Sequence, residues 1–192
     1  IGLPLIQANS NVADFYTGKL TFTRTDNIRN ASVALLLQGG INTFMAASSY
    51  TYDTLYVGES NLMATCDAIA LPLLSSESIE CFAVGNEYTR VEKVMQISKL
   101  PICYDSLDVC TNGKHYGTPT NCSSCRKCNL TLLTLEISGH INLFAKSFDL
   151  ATYRKGKRKF LRKLLPERRI LAQEIRKFGT EKGYNFPILT LL

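Results

Sequence analysis

The chain has 192 residues and a mass of 21.4 kDa, with 45% apolar and 20% charged residues, 12 glycines and 6 prolines. That suffices for one substantial hydrophobic core and disfavours wholesale disorder, a solenoid array or two full-sized domains, so residues 1–192 are read as a single domain. The net charge of +6 is local: residues 154–169 hold nine basic residues against one acid, Glu167, and the remainder carries 13 basic and 15 acidic residues.

In chain order, the hydrophobic pattern predicts strands up to about residue 148. Leu20 and Phe22 alternate with Thr21, Thr23 and Thr25, the period of a half-buried strand. The apolar run Val33 to Leu37 meets Gln38-Gly39-Gly40 and resumes at Ile41, which predicts a first hairpin because paired glycines supply the positive φ of a tight turn. From 44 to 56 the even positions collect Phe44, Tyr50, Tyr52 and Tyr56 on one face. Ile79 to Val84 turns at Gly85-Asn86 and returns over Tyr88 to Ile97, although Val91, Val94 and Met95 also suit a helix. A third hairpin pairs Leu130 to Ile137 with Ile141 to Phe148 across Ser138-Gly139-His140. Successive hairpins over 15–148 predict a mostly β fold, an antiparallel up-and-down β-barrel, since closure leaves no exposed edge.

After Phe148 the period changes. Phe160, Leu161, Leu164 and Leu165, then Leu171, Ile175 and Phe178, form an apolar stripe at helical spacing, with Pro166 interrupting or restarting it. The spacing predicts one basic amphipathic helix over 154–182, followed by a terminal strand over 186–192.

Seven cysteines lie at 66, 81, 103, 110, 122, 125 and 128, the last five within a loop spanning 103–128. Two chemistries suit that loop. A Cys-x-x-Cys pair presents thiolates to a tetrahedral zinc, and Cys103, Cys110 or His115 could complete four ligands. Alternatively, Gly, Pro, Ser and Asn between the cysteines describe an irregular loop of the kind that disulfides staple in secreted proteins. We favour disulfides among Cys66, Cys81, Cys103, Cys110, Cys122, Cys125 and Cys128, with pairing open, because a second well-formed Cys-x-x-Cys is lacking; no metal or other cofactor is then expected. Sequons at Asn30, Asn121 and Asn129 and a first residue other than Met fit a processed, secreted glycoprotein.

The strand–helix–strand order, together with two segments, resembles the lipocalins. Asp14-Phe-Tyr-Thr-Gly18-Lys-Leu20-Thr-Phe22-Thr-Arg-Thr-Asp-Asn27 is similar to the family's first strand, with Leu20 where the family has tryptophan. Ile141-Asn-Leu-Phe-Ala-Lys146-Ser is similar to its last barrel strand, and Glu174 to Leu189 to its helix end and following strand. The resemblance implies an extracellular barrel that transports or sequesters a small hydrophobic ligand. Phe22, Phe44, Tyr50, Tyr52 and Tyr56 would then line the cavity, each buried CH₂ of ligand contributing about 0.8 kcal/mol.

A different class remains open: an intracellular zinc-stabilised interaction module in which Cys110, Cys122, Cys125 and Cys128 hold the metal. Its basic helix would contact nucleic acid or another polyanion. Arg158, Arg162, Lys163 and Arg169 are the candidate polyanion contacts, and an anionic membrane surface is a further partner of the same chemistry. No base-reading motif accompanies the helix, so sequence-specific nucleic-acid recognition is not expected. Nor is an enzyme: His115 and His140 have no nucleophile or carboxylate at motif spacing, there is no phosphate-binding glycine loop, and Cys66 reads as a structural cysteine rather than a reactive thiol.

Overall fold

A computed structural model describes residues 4–110, 112 and 119–186. The chain divides into two compact units, Ile1–Glu87 and Tyr88–Leu192. About half of it is helical, and the strands among the described residues form one open pair rather than a barrel.

In the first unit, α1 (Ala13–Tyr16) and a 3₁₀ turn over Phe22–Arg24 precede α2 (Asp26–Leu36). The alternation over 20–25 therefore holds a 3₁₀ turn and the run at 33–37 is helical as far as Leu36, which overturns the first strand and the first hairpin. Ile28, Ala31, Ala34 and Leu35 recur at i, i+3 and i+4, and Asp26 stands in the first turn, where a carboxylate favours the helix N-terminus. Strand β1 (Thr43–Ala47) pairs in parallel with β2 (Glu80–Val84), Phe44 opposite Cys81 and Ala46 opposite Ala83. A parallel pair needs a long crossover, and residues 48–79 supply it with two 3₁₀ turns, the short α3 (Asp67–Ala70) and a further 3₁₀ turn at Pro72–Leu74. The core of this unit packs Ala31 and Ala34 of α2 against Ala46, Cys81, Leu71 and Ile79, small side chains that let a helix lie close to the strands.

The second unit is helical. Helix α4 (Arg90–Ile97) starts with a capping box in which Thr89 Oγ1 accepts from Glu92 N–H and the Glu92 carboxylate accepts from Thr89 N–H. After α5 (Ile102–Ser106) comes α6 (Arg126–Ile137), then α7 (Leu150–Leu164) and α8 (Ile170–Glu181). Residues 130–137, expected as a strand, form most of α6, and Ile141–Phe144 is a 3₁₀ turn. Leu130 and Leu133 face a core made with Val91, Leu161, Leu164, Ala172 and Ile175, while Leu132 and Leu135 face another with Val94, Phe144, Phe148 and Tyr153. The helix is buried on opposite sides, so its apolar residues carry no single-face period. The expected single helix over 154–182 is two, α7 and α8, because Pro166 lacks the N–H that would continue the ladder. The strand expected over 186–192 lies outside the described residues except for Phe186. The lipocalin resemblance fails with these elements: its first-strand segment is α1, a 3₁₀ turn and the start of α2, and its last-strand segment is a 3₁₀ turn.

Asp67 in α3 is buried, and Asn27 Nδ2 donates to its Oδ2. Burial raises this carboxyl to about 6, against the lowering effect of the Asn27 bond. The folded chain then keeps a proton that the unfolded chain releases near pH 4, so stability falls as pH climbs from about 4 to about 6 and is constant for this group above that. The loss is roughly 2–3 kcal/mol. Asp67→Asn is expected to remove that decline and to slow exchange of the β1 and β2 amides at neutral pH relative to the unsubstituted chain. Hydrogen exchange at about pH 4 and about pH 7 checks this; an identical pH dependence in both proteins would refute the role given to Asp67.

Candidate metal centre

The centre is built around the start of α6. Cys125 is its N-cap residue, and Cys125 Sγ accepts from Cys128 N–H at 3.5 Å. Three residues before Cys125, Cys122 Sγ accepts from Cys125 N–H at 3.3 Å and from Ser124 Oγ at 3.6 Å. The turn between them needs Ser123 at φ +55°, a left-handed conformation that costs a non-glycine residue energy. Ser123 is held there by its hydroxyl, which donates to Asn121 O at 3.2 Å and accepts from Asp149 N–H at 2.8 Å.

Cys110 arrives from a distant stretch of chain, and Asn121 brings it in. Buried completely, Asn121 donates through Nδ2 to Leu107 O at 2.7 Å and Ser147 O at 3.0 Å, and its Oδ1 accepts from Val109 N–H at 2.9 Å. That clasp fixes residues 107–109, and Asp108 Oδ1 accepts from Cys110 N–H at 3.0 Å. Asn129 ties the other side, donating through Nδ2 to Ser124 O at 2.8 Å and Cys125 O at 3.0 Å.

The result is four sulfurs, of Cys110, Cys122, Cys125 and Cys128, all within 4.8 Å of one another. Cys122 and Cys128 sulfurs are 3.9 Å apart, and Cys125 and Cys128 sulfurs 3.3 Å. A disulfide needs about 2.05 Å. A tetrahedral ion with metal–sulfur bonds of about 2.3 Å sets its ligands about 3.8 Å apart. The arrangement therefore suits a metal, and no disulfide joins any of the seven cysteines. This overturns the expected disulfide framework. The sulfurs meet because a turn and a buried asparagine place them, not because a second Cys-x-x-Cys exists.

The thiols are electrostatically unequal. Burial works to raise Cys122, but hydrogen bonds from Ser124 N–H and Oγ, Cys125 N–H and Cys110 outweigh it and draw the thiol down to about 6. Cys128 goes far up, first through burial and then through the adjoining Cys125 and Cys122 sulfurs. Thiolates crowded this closely repel one another, and a divalent cation removes that repulsion by deprotonating and binding all four.

The remaining sequence candidates lie elsewhere. Cys103 packs against the apolar core around Phe144 and is not one of the four, and His115 lies outside the described residues. Cys66 and Cys81 belong to the first unit, where burial raises both thiols; Cys66 Sγ donates to Met63 O at 3.3 Å. Phe22, Phe44, Tyr50, Tyr52 and Tyr56 share no barrel interior. Phe22 and Tyr52 are exposed, Phe44 packs on the first core, and Tyr56 lines a cavity of about 340 Å³ with Leu20, Arg24 and Cys66. Of the three sequons, Asn30 is exposed, whereas Asn121 and Asn129 are buried and engaged around the metal centre. Arg158, Arg162, Lys163 and Arg169 are all exposed. Asn121 and Ser123 are the residues the sequence reading missed as builders of the site. Their signal is a polar pair, one residue on each side of Cys122, which the sequon reading absorbed.

Compared with known proteins, the chain matches no family model, no curated protein sequence and no solved structure.

Labelling tests the inequality of the thiols. In metal-free protein, iodoacetamide is expected to modify Cys122 first, at a rate that rises as pH climbs through about 6 and levels off above it, while Cys128 resists until the chain unfolds. Peptide mass spectrometry reads the order. Equal labelling of the four, or a midpoint for Cys122 near the ordinary thiol value of about 8.5, counts against the hydrogen-bonded thiolate.

Proposed function

We propose that the second unit is a zinc-stabilised helical module that binds nucleic acid through the basic face of α7. The observation that carries the metal half is the convergence of four cysteine sulfurs within 4.8 Å. Zinc suits it best among biological ions, since an all-thiolate tetrahedral set is soft, closed to water and structural in type. Such a centre calls for reduced thiols and so for a reducing compartment.

The nucleic-acid half rests on charge. Arg154, Lys155, Arg158, Lys159, Arg162 and Lys163 are exposed along α7, and Arg168 and Arg169 continue the patch. Glu136 lies against α7 but is committed inward, accepting from Tyr153 OH at 2.6 Å and pairing with Lys157 Nζ at 2.6 Å. What remains on the outside is a cationic ridge with no acid of its own helix to offset it. A polyanion would release its counterions on docking there. The carrier reading has lost the barrel interior it required.

Elemental analysis of protein purified without added metal is expected to give one zinc per chain. Cys128→Ser should abolish it and Cys103→Ser should leave it unchanged. A chelator should lower the melting temperature of the parent chain and of Cys103→Ser alike. Absence of stoichiometric metal in the reduced parent protein ends this reading. For the nucleic-acid half, affinity for a single-stranded oligonucleotide should fall with salt, and Arg158→Ala with Arg162→Ala should make the log–log slope shallower by about 1.4. An unchanged slope would take α7 out of the interface.

A further inference from the structure

Gly156 has no structural reason to be glycine. It sits in the middle of α7, where glycine costs about 1 kcal/mol relative to alanine, and its backbone is ordinary for a helix. A Cβ added there would meet no atom within 4 Å, so no close packing demands its absence. What lies above it is a cleft of about 520 Å³, within the size range of small-ligand sites. The cleft runs between the turn that carries the metal centre, through Ser124 and Arg126, and the α7 residues Gly156, Lys159, Phe160 and Lys163.

The cleft wall is chemically mixed in a particular way. Phe160 is half-buried, packed by one side on the core and contributing to the cleft by the other. Lys159 and Lys163 are exposed at i, i+4, about 6 Å apart along the axis, and neither has an ion-pair partner among the described residues. Glu167 is also at the rim but is occupied by Arg126 at 2.5 Å and Arg169 at 3.5 Å. Asn129, only 3% exposed, completes the wall. Both its amide hydrogens are used on Ser124 O and Cys125 O, which fixes its orientation, and its Oδ1 has no hydrogen-bond partner among the described residues. A buried acceptor of this kind costs roughly 1–3 kcal/mol until a donor reaches it.

We propose that this cleft receives one unstacked nucleotide of a single-stranded nucleic acid, its base lying across Gly156 against Phe160 and its flanking phosphates on Lys159 and Lys163. The bare helix surface at Gly156 leaves room for the base's flat face, and an aromatic ring beside it is the usual stacking partner for single strands. The ridge of Arg154, Arg158 and Arg162 extends beyond the cleft, as a chain of phosphates requires and a lone headgroup does not. This inference rests on the nucleic-acid reading of α7 and adds to it a place, a strandedness and a stacking residue.

The zinc-loaded full chain is titrated against a fluorescent 12-mer of deoxythymidine, the same length of DNA duplex, and vesicles containing phosphatidylserine. Gly156→Leu fills the cleft from a helix position where an added Cβ meets no neighbour and propensity improves, and Phe160→Leu keeps an apolar group on the core; circular dichroism and zinc content verify the fold of both. The expected result is a loss of single-strand affinity of about 5- to 100-fold in each variant, with duplex affinity and salt slope unchanged. Arg158→Ala should instead weaken both forms of DNA. If the single strand and the duplex bind the parent equally and both variants leave them so, the cleft is not a nucleotide site although α7 still binds polyanions. Binding only to the vesicles, or to none of the three, overturns this proposal and the nucleic-acid reading together.

Discussion

The second unit depends on one helix being enclosed on opposite faces. Every residue of α6 from Cys128 to Leu135 is buried, and both cores of the unit form against it. A helix so placed gains from each apolar side chain, but its buried polar groups must find partners within the protein. Cys125 Sγ accepts from Cys128 N–H in the first turn, while Asn129 Nδ2 donates to the carbonyls of Ser124 and Cys125 and the buried Thr134 hydroxyl donates back to Leu130 O at 3.0 Å. The groups that start the helix therefore also assemble the four-sulfur cluster, and the cluster and the core are two aspects of one arrangement.

Burying Cys128 sets its protonation apart from that of Cys122. A thiol surrounded by apolar side chains resists ionisation, whereas its neighbour Cys122 ionises readily. Without a cation, the cluster is frustrated: the hydrogen bonds that favour a thiolate at one position sit within 4 Å of a sulfur that burial keeps protonated. With a dication the two demands agree. Cys66 and Cys81 are in the other unit and take no part, so five of the seven cysteines belong to the second unit and only four of those to the cluster.

What was legible in the sequence was chemistry rather than architecture. The alternative set of Cys110, Cys122, Cys125 and Cys128 was readable from spacing, and so was the apolar stripe from Phe160 to Phe178 with its break at Pro166. Thr89 and Glu92 form the capping box of α4, a helix signal that the strand reading of 88–97 did not weigh beside Val91, Val94 and Met95. The strand reading of 130–137 failed for a physical reason. In Leu-Thr-Leu-Leu-Thr-Leu-Glu-Ile, leucines alternate with threonines much as in a strand, and burial on opposite sides erases the helical period that would have corrected it. At 33–37 the misleading feature was glycine, since Gly39 and Gly40 follow a helix end as naturally as they make a hairpin. Two short strands in parallel could not be found by hairpin logic, because their partnership skips more than thirty residues.

The charge pattern around α7 is the product of selective neutralisation. Two acids reach this region, Glu136 from α6 and Glu167 from the segment after α7, and each holds a basic residue in place: Lys157 for the first, Arg126 for the second. Lys157 is turned toward the core side, where its Nζ also lies 5.4 Å from the centre of the Tyr184 ring. Arg126 is the first residue of α6, so Glu167 ties the chain after α7 to the turn that carries the cysteines. These ion pairs are only partly exposed and so are screened by salt less than surface pairs are. They leave the outward cations of α7 itself without an ion pair among the described residues. A surface selected only for solubility would intersperse signs, whereas here the acids secure internal geometry and the outer face is given over to one sign. The cleft beside Gly156 lies at the boundary between those two regions, where positive charge, an aromatic edge and an unsatisfied buried acceptor adjoin. Folding alone would favour alanine at 156 and a satisfied amide at 129, and both departures lie in the wall of the same cleft.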